Sequence, residues 1–363
     1  MAEKMETKIQ PLIAMSGGVD SSVAAYLLQT RHQNAMGAMM KLYTNEDLDP
    51  TYAHKACCSL DDVEDARQVA TTLGMPFYVF NFTDTFAAHV MEPFVQAYQC
   101  GRTPNPCIDC NRHMKFERFL HRAMELDCTH IATGHYARIA QAPNGRYLLK
   151  TGRDITKDQS YALYTMTQQQ LSRTLLPLGE LTKEEVRQIA EAQGFVNAKK
   201  RDSQDICFAP DGDYAGFIER HTNTKTPTGK FISPEGKILG EHRGVIHYTI
   251  GQRKGLGISA PYPLFVLSVN VADNTVTLGQ SEALFATTLT ARNINLIPFP
   301  TIEGSLQVQG KIRYSHKPEP ATLRQTGADE ITVIFDKPQR AITPGQAVVL
   351  YDGDMVVGGG VIA

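Results

Sequence analysis

The stretch Ser16-Gly17-Gly18-Val19-Asp20-Ser21-Ser22 decides how the N-terminal half of this chain is read. It follows a short apolar run, residues 11–15, and opens a segment with helical spacing through Val23, Tyr26 and Leu27. Strand, glycine-rich turn and helix, in that order, present backbone N–H groups and a helix N-terminus to an anionic phosphate. Gly17 and Gly18 let the backbone approach closely, the serines add hydroxyl donors, and Asp20 is placed to orient a metal ion. The lysine of a GxxxxGK[ST] loop is missing, so this is not the phosphate loop of the common nucleotide hydrolases. The bland alternative is an ordinary serine–glycine turn.

Outward from this loop, short apolar runs alternate with helical patterns over the first two hundred residues. Residues 11–15, 35–42, 77–82 and 129–133 read as buried strands. Between them, Val63, Ala66, Ala70 and Leu73 share one helical face ahead of Gly74. Phe116, Phe119, Leu120 and Ala123 do the same within 111–126, and Thr182 with Glu185 forms a capping box for a helix that stops at Gly194. The expected fold is α/β: a Rossmann-like parallel sheet with helices on both faces and its ligand outside the strand C-termini. After about residue 210, Gly, Pro and Thr become frequent and two-residue alternation replaces helical spacing. Residues 265–270 and 275–278 read as a hairpin turning at Asp273-Asn274. Leu306, Val308 and Ile312, then 331–335 and 347–351, add β-rich runs. The expected domains are 1–210 (catalytic), 211–284 (small, mixed or β) and 285–363 (β-barrel).

The chain has 363 residues, a length for two or three domains, and 42% hydrophobic against 20% charged residues marks an ordinary globular protein. Its polar start, MAEKMETKIQ, lacks the apolar core of a signal peptide, and no apolar run is long enough to span a bilayer. A cytoplasmic protein with no membrane partner is expected. The net charge of −2 excludes global attraction to nucleic acid, so an RNA partner needs local basic patches. Those on offer are Lys199-Lys200-Arg201, Arg253-Lys254, and Lys311 with Arg313 and Lys317; each alone also reads as solvated charge.

Seven cysteines (57, 58, 100, 107, 110, 128 and 207) in a chain without export signals argue against a disulfide framework. Cys128 reads as a small buried hydrophobe. Cys100, Cys107 and Cys110 fall within CGRTPNPCIDCNRHMKF, where Cys107-x-x-Cys110 has metal-knuckle spacing. No second CxxC pair lies nearby, so a closed four-cysteine site is not specified locally, although Cys207 could complete one through the fold. Thiol chemistry is the other reading.

The SGGVDS loop resembles that of the ATP pyrophosphatases, which split ATP into AMP and pyrophosphate while activating an oxygen of a second substrate. GMP, NAD and argininosuccinate synthetases, and the tRNA lysidine and 4-thiouridine enzymes, share such a loop. Taken with GRTPNPCIDCN (101–111), ATGHYAR (132–138), KDQSYAL (157–163), RDSQDICF (201–208), YTIGQRKGLGI (248–258) and KIRY (311–314), the whole chain resembles the tRNA-uridine 2-sulfurtransferases, or tRNA 2-thiouridylases. The resemblance runs almost end to end, with seven motifs in the family's order.

It implies an adenine nucleotide hydrolase-like catalytic domain, a central tRNA-binding domain, and ATP-dependent replacement of the C2 oxygen of a wobble uridine by sulfur. By position it implies that Ala14, Met15, Ser16, Gly17, Gly18, Val19, Asp20 and Ser21 bind the ATP phosphates, with Asp20 on Mg2+, and that Met40 and Gly134 border the adenosine. Asn105, Pro106 and Cys107 would contact the target base, and Lys157, Asp158, Gln159, Arg313 and Tyr314 the tRNA. Cys110 takes the nucleophile position and Cys207 the persulfide position, the two forming a transient disulfide. The implied partners are the tRNAs for lysine, glutamate and glutamine, and a sulfur-relay protein or cysteine desulfurase that supplies the persulfide. Many members carry Asp where this chain has Cys107, which is read as a passive substitution, a spare thiol, or an iron–sulfur ligand with Cys110 and Cys207.

The chemistry has its own logic. A urea-like C2 carbonyl has a poor leaving group, and adenylation of its oxygen supplies a good one. Both thiols must react as thiolates, so nearby cations should lower their pKa values; Lys200 and Arg201 near Cys207, and Arg112 beside Cys110, are the choices. His135 is left without a role. From another class, an RNA-binding or iron–sulfur carrier module with a vestigial nucleotide loop is the alternative.

Overall fold

Leu12 and Ile13 are neighbours in sequence and both fully buried, so the strand that carries them, β1 (Pro11–Ala14), is covered on both faces. The computed structural model describes residues 9–44, 60–200, 206–210 and 212–363. It divides into two compact units, residues 1–87 with 108–210, and residues 88–107 with 211–363.

In the first unit, β1 is flanked in parallel by β2 (Met36–Lys41) and β4 (His130–Ala132), β2 by β3 (Phe77–Asn81), and β4 by β7 (Thr174–Leu175). Strands β5 (Ala137–Gln141) and β6 (Tyr147–Thr151) form an antiparallel hairpin. The parallel order β3-β2-β1-β4-β7 reverses direction between β1 and β4. That switch point opens a crevice beyond the strand C-termini. The helices in chain order are α1 (Val19–His32), α2 (Leu60–Thr72), α3 (Thr83–Phe86), α4 (Glu92–Gln99), α5 (Pro106–Asp109), α6 (Phe119–Glu125), α7 (Gln168–Ser172), α8 (Lys183–Ala192) and α9 (Tyr214–Thr222). Ile13 and Met39 of the sheet, with Met15 just after β1, pack with Val23 and Leu28 of α1, Ala66 and Val69 of α2, and Val186 and Ala190 of α8 in one core. α6 packs on β4.

Three sequence expectations are adjusted. The run 77–82 is a strand, but Tyr78 and Val79 are 40% and 43% exposed, because β3 is the sheet's edge. The helix expected over 111–126 ends within a residue of its place, yet Cys110–Arg118 is wound in wider i→i+5 turns. The motif stretch 201–208 is described only from residue 206, so Arg201 lies outside the described residues, as do Cys57 and Cys58. The capping box is present as read: Thr182 Oγ1 accepts from Glu185 N at 3.2 Å while Thr182 N donates to Glu185 Oε2 at 2.6 Å.

In the second unit, the rings of Phe94 and Tyr98 of α4 pack at a tilt, 5.0 Å between centres, and Phe94 meets Phe217 of α9 edge to face at 6.1 Å. Strands β8 (Gly229–Ile232), β9 (Ile238–His242), β10 (Phe265–Asn270) and β11 (Thr275–Gly279) form a sheet in the order β10-β11-β8-β9. The β10–β11 hairpin turns through Asn274 at φ 49°, a left-handed conformation that asparagine tolerates. Six antiparallel strands follow: β12 (Phe285–Leu296), β13 (Leu306–Lys311), β14 (Glu319–Gly327), β15 (Glu330–Arg340), β16 (Ala347–Asp352) and β17 (Met355–Ile362). They pair in the order β12-β15-β14-β13-β16-β17, and β12 pairs with β17 to close a barrel. Val308, Leu323, Ile331, Val333, Phe335, Leu350 and Val357 fill its interior. Among the described residues, no helix is long and apolar enough to cross a membrane.

Candidate active site

The loop between β1 and α1 sits at the switch point. Met15 N donates to Ala38 O at 2.8 Å, which holds the loop's first residue against β2. Gly17 has φ +73°, and a methyl group there would lie 2.5 Å from the Asp62 carbonyl oxygen, so only glycine fits. Ser16 N donates to Ser21 Oγ at 3.1 Å, and Ser21 Oγ donates to Gly18 O at 2.9 Å. Gly18 caps α1 in extended conformation with no side-chain hydrogen bond. The first-turn amides thus keep the polarity that receives an anion at a helix N-terminus. Met40 lies near the C-terminal end of β2, in the same crevice edge. Gly134 follows β4, and a methyl on it would lie 2.9 Å from both Asp20 C and Ser21 N. The two strand-end loops therefore touch through backbone.

The side chains around the loop were only partly foreseen. Asp20 is held by Lys183, whose Nζ lies 2.7 and 2.8 Å from its two oxygens, and by Tyr136, whose hydroxyl donates to Oδ1 at 2.8 Å. Both carboxylate oxygens are thus engaged by donors, and no group of three or more His, Cys, Asp or Glu is set to hold a metal among the described residues. Buried Asn197 donates from Nδ2 to Gly17 O and to Ser22 Oγ, both at 2.9 Å. Lys183, Tyr136 and Asn197 escaped the sequence reading. Tyr136 lies inside ATGHYAR, but a lysine in a helix's first turn reads as solvated charge. Lys200, read as an activator of Cys207 and as part of an RNA patch, instead spans Asp62 (2.7 Å) and Asp65 (2.6 Å). Burial opposes its charge, but those two hydrogen-bonded carboxylates raise its pKa.

His135 is buried. Its Nδ1 is 2.7 Å from Thr133 Oγ1 and its Nε2 is 3.3 Å from Lys115 Nζ. Burial, then the Lys115 charge, hold its pKa well below 6.5, so the ring is neutral.

Asn105 Oδ1 accepts from Cys107 N at 3.2 Å and Pro106 takes the first position of α5, an ordinary Asn-Pro helix start. Cys107 is exposed, while Cys110 and Cys207 are each half-buried and both belong to the first unit. Asn111, next to Cys110, donates to Ala162 O at 3.0 Å. Asp109 is pushed up to about 6 by burial, against the pull of His113 and Arg112. Cys128 is buried and pushed up to about 11 by desolvation and then by Asp127, as expected of a packing cysteine. Phe208, beside Cys207, is buried against Phe86 at 5.8 Å.

In the segment 157–159, Asp158 Oδ1 accepts from Gly152 N and Ser160 N, and Gln159 brackets Tyr136 through N→O (2.9 Å) and Oε1←N (3.0 Å). These contacts tie the loop to the residue that holds Asp20; Lys157 is half-buried beside them. Arg313 donates from Nη2 to the carbonyls of Arg340 (3.1 Å) and Ala341 (2.8 Å). Tyr314 is 46% exposed with the Lys311 ammonium 5.4 Å from its ring centre.

The sequence matches three family models along its length: the tRNA methyl transferase HUP domain over residues 9–211, the tRNA methyl transferase PRC-barrel domain over 215–280, and the aminomethyltransferase beta-barrel domain over 286–362. It is 50% identical over 352 residues to the tRNA-specific 2-thiouridylase MnmA of Clostridioides difficile, covering 97% of each chain. The same identity holds over 351 residues to the enzyme of that name in Lachnoclostridium phytofermentans, covering 97% of this chain and 98% of the relative. This chain belongs to the tRNA-specific 2-thiouridylase family. The family's three-part plan matches the elements described: the parallel sheet falls in its first segment, β8–β11 in the PRC-barrel segment, and β12–β17 in the barrel segment. A 4-thiouridine synthetase–RNA complex with bound ATP is similar at 19% identity and a TM-score of 0.36, covering 56% of this chain and 46% of that one.

Proposed function

We propose that this enzyme is an ATP-dependent tRNA sulfurtransferase that converts the C2 carbonyl of a wobble uridine to a thiocarbonyl. The observation that carries the reading is the uncapped first turn of α1 at the sheet's switch point, braced by Gly134, in the same unit as Cys110 and Cys207. The near full-length relatives support sulfur rather than methyl as the group transferred, and two thiols in that unit suit it.

The loop 14–21 holds the ATP phosphates, with the base toward Met40 and Gly134. The C2 oxygen attacks the α-phosphorus and pyrophosphate leaves. A persulfide on Cys207, loaded by a donor protein, attacks C2, and AMP departs with the former C2 oxygen. The Cys110 thiolate then attacks Cys207 Sγ, which breaks the sulfur–sulfur bond to the base and leaves 2-thiouridine and a Cys110–Cys207 disulfide. A thiol reductant reopens it. Mg2+ accompanies ATP, and no group of three or more His, Cys, Asp or Glu among the described residues is set to hold it. Asn105, Pro106 and Cys107 meet the target base, with Cys107 a passive replacement for aspartate. Lys157, Asp158, Gln159, Arg313 and Tyr314 meet the tRNA, whose anticodon loop is already single-stranded, so presenting the base costs little. Domains at 1–210, 211–284 and 285–363, tRNAs for lysine, glutamate and glutamine, and a cytoplasmic setting complete the reading.

The test is AMP and pyrophosphate release. Release that depends on added tRNA, persists in Cys207→Ser, and yields no thiolated product there is expected. Release indifferent to tRNA would sink the assignment of substrate and favour a carrier module.

A further inference from the structure

Lys115 lies in the widened helical stretch Cys110–Arg118, five residues after Cys110. In i→i+5 turns that spacing returns a side chain to nearly the same face. Its ammonium is half-buried, and among the described residues its one polar partner is His135 Nε2 at 3.3 Å. An ammonium has no lone pair to offer, so Nε2 accepts and Nδ1–H donates to Thr133 Oγ1 at 2.7 Å. The imidazole is fixed further by burial and by the Phe116 ring at 5.9 Å. An imidazole of this kind orients a cation without cancelling its charge. The two lysines that touch the loop differ: Lys183 is paired with Asp20 and Lys200 with Asp62 and Asp65. A partly buried charge without a counter-charge is costly to keep, and the Lys115 ammonium is held by His135, the residue next to Gly134, whose backbone abuts Asp20 and Ser21 of the phosphate loop.

We propose that Lys115 binds the α-phosphate of the nucleotide, holds it through the adenylated uridine, and offsets the charge on AMP as it leaves, with His135 as its positioning residue. The inference rests on the adenylation reading above and adds the cation which that reading lacks. No proton moves at Lys115. It donates hydrogen bonds to phosphate oxygens while the C2–O bond breaks and the oxygen stays with AMP. The ligand class is an adenine nucleotide phosphate, and the side chain links the nucleotide loop to the helix that begins with Cys110.

The experiment uses the full chain, α,β-methylene-ATP as the binding probe, and single-turnover AMP release with tRNA. Lys115→Met is expected to weaken the analogue at least about tenfold and to slow AMP release about a hundredfold, the range for losing one preorganised charge-stabilising donor. Lys115→Arg should recover part of both, and His135→Gln should lose rate more than affinity. Thermal melting of the unliganded variants reports folding separately. Wild-type affinity and rate in Lys115→Met would overturn the proposal. So would equal losses in the Met and Arg variants with a matching drop in melting temperature, which is a packing role. If the wild type binds the analogue but makes no AMP with tRNA, the adenylation reading falls while the binding comparison still judges the phosphate contact. A wild type that binds no analogue overturns both.

Discussion

Gly134 has no room for a side chain, because the atoms a methyl would strike are backbone atoms of Asp20 and Ser21. Gly134→Ala should therefore push the phosphate loop off the strand end, at about 1–3 kcal/mol of stability and with most nucleotide affinity lost. Melting and ATP titration check both. Lys183→Met leaves Asp20 with Tyr136 alone; since the Asp20 side chain is 31% exposed, about 1–2 kcal/mol is expected in urea unfolding rather than the larger loss of a fully buried pair. Two groups tie stability to pH with opposite signs. His135 resists protonation in the native state, so its contribution is complete above about pH 6.5 and is lost as pH falls below that. Asp109, at about 6 instead of 3.8, holds its proton longer when folded. Its contribution is present in acid and is lost as pH rises from about 4 to 6. His135→Gln should flatten the acid limb of the melting curve. Asp109→Asn should gain on wild type above pH 6 and lose that gain near pH 4.

At the scale of elements, α8 carries Lys183 at its first position, just after the Thr182 cap. Thr182→Ala removes one half of the capping box and should cost about 1 kcal/mol, measured by urea denaturation, with a loss of nucleotide affinity because Lys183 is no longer set against Asp20. This is also where sequence reading worked and where it stopped. β1, the glycine loop, the helix at 61–73, the capping box and the β10–β11 hairpin were legible because each is specified locally, by apolar spacing, turn chemistry or a cap. The ion pairs were not legible. Asp20 and Lys183 are 163 positions apart and Lys200 and Asp62 are 138, and such partners meet only through the packing of α8 and α2 around the sheet. β3 looked buried since its residues are apolar, but the strand order that makes it an edge is not written in its own sequence. The wide turns after Cys110 likewise leave no mark on a 3.6-residue pattern.

At the scale of the molecule, the chain joins a parallel-sheet unit that carries Cys110 and Cys207 to a β-rich segment, residues 211–363, within a protein of net charge −2. Binding of tRNA must come from local patches, so affinity should fall steeply between 50 and 200 mM salt, by filter binding. Cys110→Ser and Cys207→Ser should each abolish thiolation, while buried Cys128→Ser leaves it largely intact. Cys57→Ser, at a residue outside the described ones, is expected to be equally mild. The most direct test is nucleoside mass spectrometry on tRNA incubated with the full chain, ATP, Mg2+ and a persulfide donor, beside Cys207→Ser. The account predicts 2-thiouridine that requires ATP and disappears in the variant. Thiolated nucleoside formed undiminished by Cys207→Ser, or ATP split to AMP with no thiolated nucleoside in the wild type, would contradict it.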